Sequence, residues 1–591
     1  MKGFFGKVLL IRLDERSFEE QELPKEVYRQ YLGGKGLGTY LLLRENPPGV
    51  DPLSPQNRLI FALGPVTDSR IWGSCRYGVF TKSPLTGFYS ESYSGGKAAE
   101  PMSRAGYDAV ILEGKASSPV LLEVSDEGVL FHDASDLWGL DTYEAEERAL
   151  ERVQAEGRKA ALVIGPAGER AVRFAVIGND RGRQAGRTGV GAVMGSKQVK
   201  GMVFHGKKQR EFADPEGIEV FSKEILERGK EDPGALAYKQ YGTPQLVAIM
   251  NRVKGFPSRY WHQGSVEGWE RISADALLEE CHAKPKACPR CFMACGKVSE
   301  ITEGRHKGLK IEGPEYETIY AFGGLCLVDD IKEIAYLNDI CDRLGLDTIT
   351  AGNLVAFTIE AVRMGKVKEE VDYGDVDGIA SLLQKMARRE GVGEILARGI
   401  VHAAREWGLE DIAIHVKGME PAGYDPRVLK GMALAYATSD RGACHLRTTF
   451  YKPELAGIID PEQIEGKAEL LVEYEDRLAL FDSLIICRFY RDMYQWEELS
   501  RIVEVTAGIS LGKEGLREIA SRIIDSTRRF NLREGLRKAD DSLPRRFHQE
   551  PLPETGKVVT EEQLERLLSD YYRIRGWDEE GRPHEGGDPD R

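Results

Sequence analysis

Cys288-Pro289-Arg290-Cys291-Phe292-Met293-Ala294-Cys295 places three thiols in one short stretch, spaced C-x2-C-x3-C. Pro285 and Pro289 open the segment and Gly296 follows it, so a compact turn can direct three sulfurs at one soft centre. Thiolates suit iron–sulfur clusters and zinc alike. A structural zinc site usually draws its ligands from two close pairs, and no second C-x2-C is present. Radical-initiating iron–sulfur enzymes put the longer gap first, the reverse of this order. A four-iron cluster needs one more ligand, which can come from far along the chain. The spacing therefore favours a cluster over zinc, and leaves unrelated buried thiols as the third reading.

The other cysteines, Cys75, Cys281, Cys326, Cys341, Cys444 and Cys487, stand singly, and the total of nine is odd. Neither fact fits a disulfide framework, and both fit a reducing compartment. The apolar run in Met1–Ile11 is short and is broken at once by Arg12 and Asp14; it reads as a first strand and not as a signal core. No apolar run reaches the ~18 residues of a membrane span, so a cytoplasmic location is expected. With 591 residues, a prior of about 150 per domain gives three or four units. A net charge of −14 excludes the basic face that nucleic-acid binding requires.

Around the triplet the chain divides into unlike halves. Up to about residue 205, β-type runs alternate with Gly/Pro turns: 7–13, 58–63, 109–113, 120–124, 160–164 and 172–177. The polar stretch 206–211 reads as a linker. Beyond it the period turns helical, at 215–227, 335–344, 354–364, 379–389 and around 502–507, with a polar break at 366–377. The acidic, Gly-rich tail 578–591 reads as frayed. The fold class expected is α+β.

Two stretches of the β half mix basic side chains with glycine: Arg76-Tyr77-Gly78 through Lys82-Ser83-Pro84-Leu85-Thr86-Gly87 to Ser94-Gly95-Gly96, and Asp180-Arg181-Gly182-Arg183-Gln184-Ala185-Gly186-Arg187-Thr188-Gly189. Guanidinium forks and close-approaching backbone N–H groups suit an anion such as phosphate; solvated turn loops are the bland alternative. Neither stretch fits a P-loop or a dinucleotide fingerprint. In the helical half, Asp342-Arg343-Leu344-Gly345-Leu346-Asp347 has the form of a helix stop with glycine as left-handed cap. Glu312-Gly313-Pro314-Glu315-Tyr316-Glu317 is carboxylate-rich, and Arg441-Gly442-Ala443-Cys444-His445 sets an imidazole among small residues.

Together these stretches resemble the tungsten-dependent aldehyde:ferredoxin oxidoreductase family over nearly the whole chain, from Leu32-Gly33-Gly34-Lys35-Gly36 to Arg575-Gly576-Trp577. Thr81-Lys82-Ser83-Pro84-Leu85-Thr86-Gly87-Phe88, Gly191-Ala192-Val193-Met194-Gly195-Ser196-Lys197 and Gly313-Pro314-Glu315-Tyr316-Glu317 are the specific stretches, in the family's order. The resemblance implies a β-rich pterin-binding domain at 1–210. A helical domain with the Cys triplet and first pterin turn follows at 211–417, and a second helical domain at 418–591. It implies a tungsten bis-pyranopterin, in which molybdenum is equally acceptable to the dithiolene sulfurs. Arg76, Gly95, Arg183, Gln184, Gly186 and Arg187 would hold its phosphates and a bridging Mg2+. Asp342, Gly345, Leu346 and Asp347 match the first pterin turn. Arg441, Asp482 and Ile486 belong to the second pterin's surroundings. Cys288, Cys291, Cys295 and Cys487 match the ligands of a [4Fe–4S] cluster.

Three positions depart from the family pattern. Ile485-Ile486 stands where the second turn has Gly-Leu, removing glycine's backbone freedom there. Tyr93 replaces an Asn that helps hold magnesium. Tyr336 and Asp339 occupy the Glu-x-x-His positions that place iron at a dimer interface, so an oligomer without that iron bridge is expected. The resemblance further implies oxidation of an aldehyde to a carboxylic acid, with Glu317 as base and His445 as hydrogen-bond donor. Tyr316 would shape the pocket, and electrons would leave to ferredoxin or a small ferredoxin-like subunit. The alternatives are a low-potential reductase complex acting on carboxylic acids or aromatic acyl-CoA, with Cys326 as a candidate metal ligand, and a zinc-stabilised silent subunit.

Overall fold

Val8, Leu9, Leu10 and Ile11 are buried together, as expected of a strand covered on both faces, and the N-terminal sheet is built around them. The computed structural model describes residues 1–584; part of the tail expected to fray lies outside the described residues. The chain forms two compact units. The first comprises Met1–Leu236, Ala287–Met293 and Asp476–Gly535; the second comprises Ala237–Lys286, Ala294–Glu475 and the stretch from Leu536. Among the described residues no helix is long and apolar enough to cross a membrane.

Among the described residues the first unit holds two six-stranded sheets. The first uses β1 (Lys7–Arg12), β2 (Ser17–Glu22), β3 (Leu59–Ala62), β4 (Tyr77–Lys82), β5 (Tyr89–Ser94) and β6 (Ala109–Glu113), in the order β2-β1-β6-β3-β4-β5. Only β1 and β6 pair in parallel. The second uses β7 (Val120–Ser125), β8 (Gly128–Asp133), β9 (Ala160–Val163), β10 (Ile177–Asn179), β11 (Arg183–Ala185) and β12 (Val199–Phe204), in the order β11-β10-β9-β12-β7-β8.

The two-residue period of a strand divides the burial. Val120, Leu122 and Val124 of β7 join Leu9 and Ile11 of β1, Leu112 of β6 and Met202 of β12 in one core. Leu121, Ala161, Val163 and Val203 face the other way, onto Ala145 and Ala149 of the helix Thr142–Arg152.

Three local expectations change. The run 172–177 is not a strand: Val172–Ala175 forms a turn closed by Ala175 N–H on the Val172 carbonyl at 2.8 Å, and the strand starts only at Ile177. Its apolar residues are buried by turn packing, which alternation cannot distinguish from a strand. The stretch 76–94 is no solvated loop but a hairpin, β4–β5, whose two strands are buried throughout. Lys82 within it is ion-paired to Glu534 at 2.6 Å and is not free to hold an anion. The stretch 206–211 lacks regular structure but is pinned, because Arg210 is buried and bonds Asp108 at 2.7 Å.

The second unit is mainly helical, with a small sheet of Lys284–Lys286, Gly296–Glu300 and Lys310–Glu312. The expected helices form with longer bounds: Ile331–Leu344, Thr348–Arg363 and Val376–Arg388. Trp261 is fully buried; its indole N–H donates to Asn353 at 3.0 Å and its ring meets Phe547 edge-on. Arg427, also fully buried, pairs with Asp425 at 2.6 Å and donates to the Trp261 carbonyl at 2.6 Å. This network fixes the loop Pro421–Arg427.

Candidate functional site

In the first unit, β5 and the loop after β10 bring the two basic, glycine-bearing stretches together. Asn179 is the link: its Oδ1 accepts from Tyr77 at 2.9 Å and Ser94 at 2.8 Å, while its Nδ2 donates to the Gly95 carbonyl at 3.0 Å. Ser92 donates to the Gly186 carbonyl at 2.9 Å, and Ser83 to that of Thr188 at 2.7 Å. Arg187 and Thr188 hold left-handed backbone at φ 72° and 35°, a conformation these hydroxyl contacts secure. Gly95, Arg183, Gln184, Gly186 and Arg187 are thus neighbours through hydrogen bonds that link strands far apart in sequence.

Arg76 immediately precedes β4 and reaches the thiols. Its Nη2 donates to the Tyr93 carbonyl at 3.3 Å, and its Nη1 lies 3.9 Å from the Cys487 sulfur. Burial pulls the Arg76 pKa down, but its electrostatic interactions with Cys487, Cys75 and Asp482 outweigh that, and the net direction is upward.

Cys75, Cys288, Cys291 and Cys487 converge. A hydrogen bond with Cys288, then burial, then charge on Cys288, Cys487 and Cys291 push the Cys75 thiol well above its usual range. Gly96 N–H points at the Cys288 sulfur at 3.3 Å. The Cys487 N–H bonds the Gly73 carbonyl at 3.0 Å, and Gly73 N–H bonds that of Arg290 at 2.7 Å, tying the two thiol-bearing segments to one loop. Burial, followed by the charge and hydrogen bond of Cys291, drives the Tyr490 pKa upward. Among the described residues no three His, Cys, Asp or Glu are packed tightly enough to grip a single metal ion. In a four-iron cluster each thiolate binds a different iron, so a wider ring of sulfurs suits it. Cys295 falls in the second unit, at the start of the strand Gly296–Glu300.

The two D-x-x turns share one backbone form. The helix Ile331–Leu344 stops at Gly345, φ 76°, and Leu346 N–H reaches back to the Cys341 carbonyl at 2.9 Å. The helix Lys467–Leu484 stops the same way at Ile485, φ 65°, with Ile486 N–H on the Phe481 carbonyl at 2.8 Å. The sequence, with no glycine at this position, predicts a changed turn. Instead Ile485 adopts the left-handed form, at a cost of roughly 1–2 kcal/mol, and its buried side chain packs on Gly34. Asp347 caps the helix Thr348–Arg363 through the N–H groups of Ile349 and Thr350. Asp342 accepts from Asn338 at 2.9 Å. Asp482 is buried and ion-paired with Arg488.

In the second unit, Glu317 and His445 meet: the imidazole Nε2 lies 3.4 Å from Glu317 Oε1. The other carboxylate oxygen accepts the Gly423 N–H at 2.9 Å. Glu317 stands on a single α turn, Tyr316–Ile319, that runs directly into a π turn, Tyr320–Gly324; such insertions concentrate at functional sites. Tyrosines wall the pair. Tyr316 donates to the Gly423 carbonyl, Tyr320 to that of Pro421 at 2.6 Å, and Tyr436 to that of Ala422 at 3.0 Å. Tyr424 lies against His445 and stacks on Tyr451. Burial, then the charge of Glu317, raises the pKa of Tyr316, so these phenols stay protonated. Gly423 is required by close approach: a Cβ there would come 2.7 Å from the Tyr320 ring.

Arg441 donates from Nε to the Cys444 sulfur at 3.2 Å. The same loop carries Arg447, and the buried hydroxyls of Ser439, Thr448 and Thr449 have no hydrogen-bond partner. Groups of this kind call for a polar ligand.

Four residues at these sites, Cys75, Arg447, Arg488 and Gly423, have no role in the sequence motifs. Only Cys75 had a local signal, as the immediate neighbour of Arg76. Tyr93 is engaged on both sides, its hydroxyl donating to Glu91 and its carbonyl accepting from Arg76. Tyr336 stacks on His306 at 4.2 Å and Asp339 pairs with Arg343 at 2.8 Å, so both positions serve packing within the chain. The Cys326 thiol donates to the Ala321 and Gly352 carbonyls at 3.4 Å, as a small buried group does.

Clustered thiols in one unit and a carboxylate–imidazole pair in the other are groups that suit redox chemistry. Family models agree. Residues 8–206 match the aldehyde ferredoxin oxidoreductase N-terminal domain, and residues 220–586 match domains 2 and 3 of the same family. The chain belongs to the aldehyde ferredoxin oxidoreductase family. It is 37% identical to the tungsten-containing aldehyde ferredoxin oxidoreductase of Pyrococcus furiosus, over 98% of each chain. It is 30% identical to the WOR-like subunit of an aliphatic sulfonate oxidoreductase from the same organism, over 99% of this chain and 96% of the other. The fold is shared with the active-site complex BamBC of benzoyl coenzyme A reductase, at TM-score 0.85 and 24% identity over 98% of this chain and 96% of that one.

Proposed function

We propose that the chain oxidises aldehydes to carboxylic acids and delivers the electrons to a ferredoxin-type carrier. In balanced form, RCHO and H2O become RCOOH, two protons and two electrons. The observation that carries this reading is the Glu317–His445 pair, 3.4 Å apart behind a wall of buried tyrosines, in a chain of this family.

Glu317 has one oxygen committed to the Gly423 N–H and one turned to His445. The second oxygen takes a proton from water as the C–O bond forms, or from a hydroxyl of the hydrated aldehyde as the C=O bond forms and the electron pair of the C–H bond leaves. His445 donates a hydrogen bond to the oxygen of the reacting carbonyl. Help of this kind is typically worth about 10²–10⁴-fold. The tyrosine wall keeps bulk water from the pair and shapes the space for an apolar substituent.

The residues fit the cofactors the family carries. Arg76, Arg183 and Arg187 with the Gly95 and Gly186 backbone suit pterin phosphates. Asp342, Gly345, Leu346 and Asp347, and Arg441, Asp482 and Ile486, suit the pterin rings. Cys288, Cys291, Cys295 and Cys487 suit a [4Fe–4S] cluster. Bound there, a tungsten dithiolene would accept the electron pair and the cluster would pass electrons on singly.

The test is metal analysis of anaerobically purified protein, combined with aldehyde-dependent reduction of a viologen dye. Tungsten with about four iron atoms per chain, and dye reduction by aldehydes, are expected. Zinc without tungsten or iron would overturn the reading, and so would activity confined to acyl-CoA substrates.

A further inference from the structure

Three segments of the first unit meet at the Cys288 sulfur. Gly96 N–H points at it from 3.3 Å, and a Cβ on Gly95 would stand 3.3 Å from it. The third segment is Gly73–Arg76, which Gly73 N–H ties to the Arg290 carbonyl at 2.7 Å. This tie sets the Cys75 thiol within hydrogen-bond reach of Cys288. The other acceptor near Cys75 is the Gly73 carbonyl, 3.9 Å from its Sγ, which is long even for sulfur.

Cys75 stands outside the four cysteines proposed to bind the cluster, so a separate use must be found for it. A small buried thiol often serves packing alone. Packing is not complete here, because Ser74, Cys75, Gly96 and Pro289 share the wall of a hollow of about 450 Å³. A residue chosen for bulk would fill that space. A neutral thiol leaves it open and keeps one proton to donate, and a thiolate is a stronger acceptor for that proton than a distant carbonyl.

We infer that Cys75 sets the reduction potential of the proposed four-iron cluster by donating its S–H to the sulfur of Cys288. The inference rests on the proposed cluster and names a residue that tunes it without binding iron. Gly96 N–H donates to the same sulfur, and Arg76 Nη1 lies 3.9 Å from that of Cys487. Cys75 therefore joins two donors already aimed at the sulfurs. Reduction adds one negative charge to a cluster, so each such donor stabilises the reduced form more than the oxidised form. The potential is higher with the Cys75 proton in place than without it.

The experiment is a potentiometric titration of the anaerobic holoenzyme, read by electron paramagnetic resonance, on wild type, Cys75→Ala and Cys75→Ser, with iron counted in each. At the wild-type midpoint the oxidised-to-reduced ratio of the Ala variant should rise about tenfold, a fall of about 59 mV for one electron. Cys75→Ser keeps a donor and should hold the potential at or above the wild-type value. An unmoved potential in the Ala variant would overturn the inference. A rise would do the same, because the thiol would then act by keeping water from the sulfur. An equal fall in both variants would rule out the donated proton as the cause, and iron loss from the Ala variant would make Cys75 a ligand. A wild type that shows the cluster and the expected shift but oxidises no aldehyde would sink the proposed function and leave the tuning role standing. A wild type without the cluster would end both.

Discussion

Replacing Glu317 by Gln tests the proposed chemistry with the least structural disturbance. The Gly423 N–H donates to one carboxylate oxygen at 2.9 Å, and an amide can keep that bond only by presenting its carbonyl oxygen there. Its NH2 must then face His445 Nε2, where Glu317 Oε1 stands 3.4 Å away. The imidazole is left to accept a hydrogen bond where it should donate one, and no base remains. The loss should equal that of a general base, about 10²–10⁴-fold in kcat, or about 3–5 kcal/mol at 1.36 kcal/mol per decade. Stability should change little, since the hydrogen bond from Gly423 is kept and the 3.4 Å approach of Glu317 Oε1 to His445 is not a hydrogen bond. The assay is aldehyde-dependent viologen reduction under anaerobic conditions, normalised to tungsten and iron content and accompanied by a thermal melt. A Gln variant with normal metal loading and near-normal turnover would refute the argument and move the base elsewhere.

Three further outcomes are expected. Gly423→Ala drives a methyl into the Tyr320 ring and should cost about 1–3 kcal/mol by overpacking; an unshifted melting temperature would mean that the tyrosine wall yields. Glu146 is buried and holds the Asp180 and Arg181 N–H groups, and burial first of all pushes its pKa up to about 7. The folded chain therefore keeps this proton more tightly than the unfolded chain, and the contribution is complete below about pH 4.5 and fades as pH rises through about 7, by up to about 3 kcal/mol. Glu146→Gln should flatten the stability–pH curve over that window, and an unaltered slope there would contradict the assignment. Cys75→Ala should retain the full iron content, because Cys288, Cys291, Cys295 and Cys487 are the ligands of the proposed cluster; iron loss measured on the variant would make Cys75 a ligand.

Much of the architecture could be read from local pattern. The two-sided apolar runs of β1, β6, β7 and β9 announced strands, and Gly345 announced a left-handed helix stop. The misreadings came where burial arises from distant partners. Residues 76–94 look polar and turn-rich, yet their serines and tyrosines bond Asn179, Gly186 and Thr188, nearly a hundred residues on. Lys82 finds Glu534, and Arg210 finds Asp108. No periodicity in the chain marks such pairings. Ile485 marks a different limit. A β-branched residue resists left-handed backbone, and only the terminating helix and the packing on Gly34 hold it there.

By itself the sequence determined which chemistry was available: thiols at C-x2-C-x3-C spacing, guanidinium groups among glycines, and a carboxylate and an imidazole in separate motifs. Side-chain identity and short-range spacing are local properties, so they survive in a string of letters. Tertiary structure alone decided which of these groups meet. It brought Cys75 to Cys288, Glu317 to His445, and Gly95 to the Arg183–Arg187 loop. It also set Cys75 in the wall of a hollow in the first unit. The physical reason is that contacts between residues far apart in sequence are selected by core packing and by the pairing of buried polar groups. Those forces act on the whole fold at once and leave no mark at either residue.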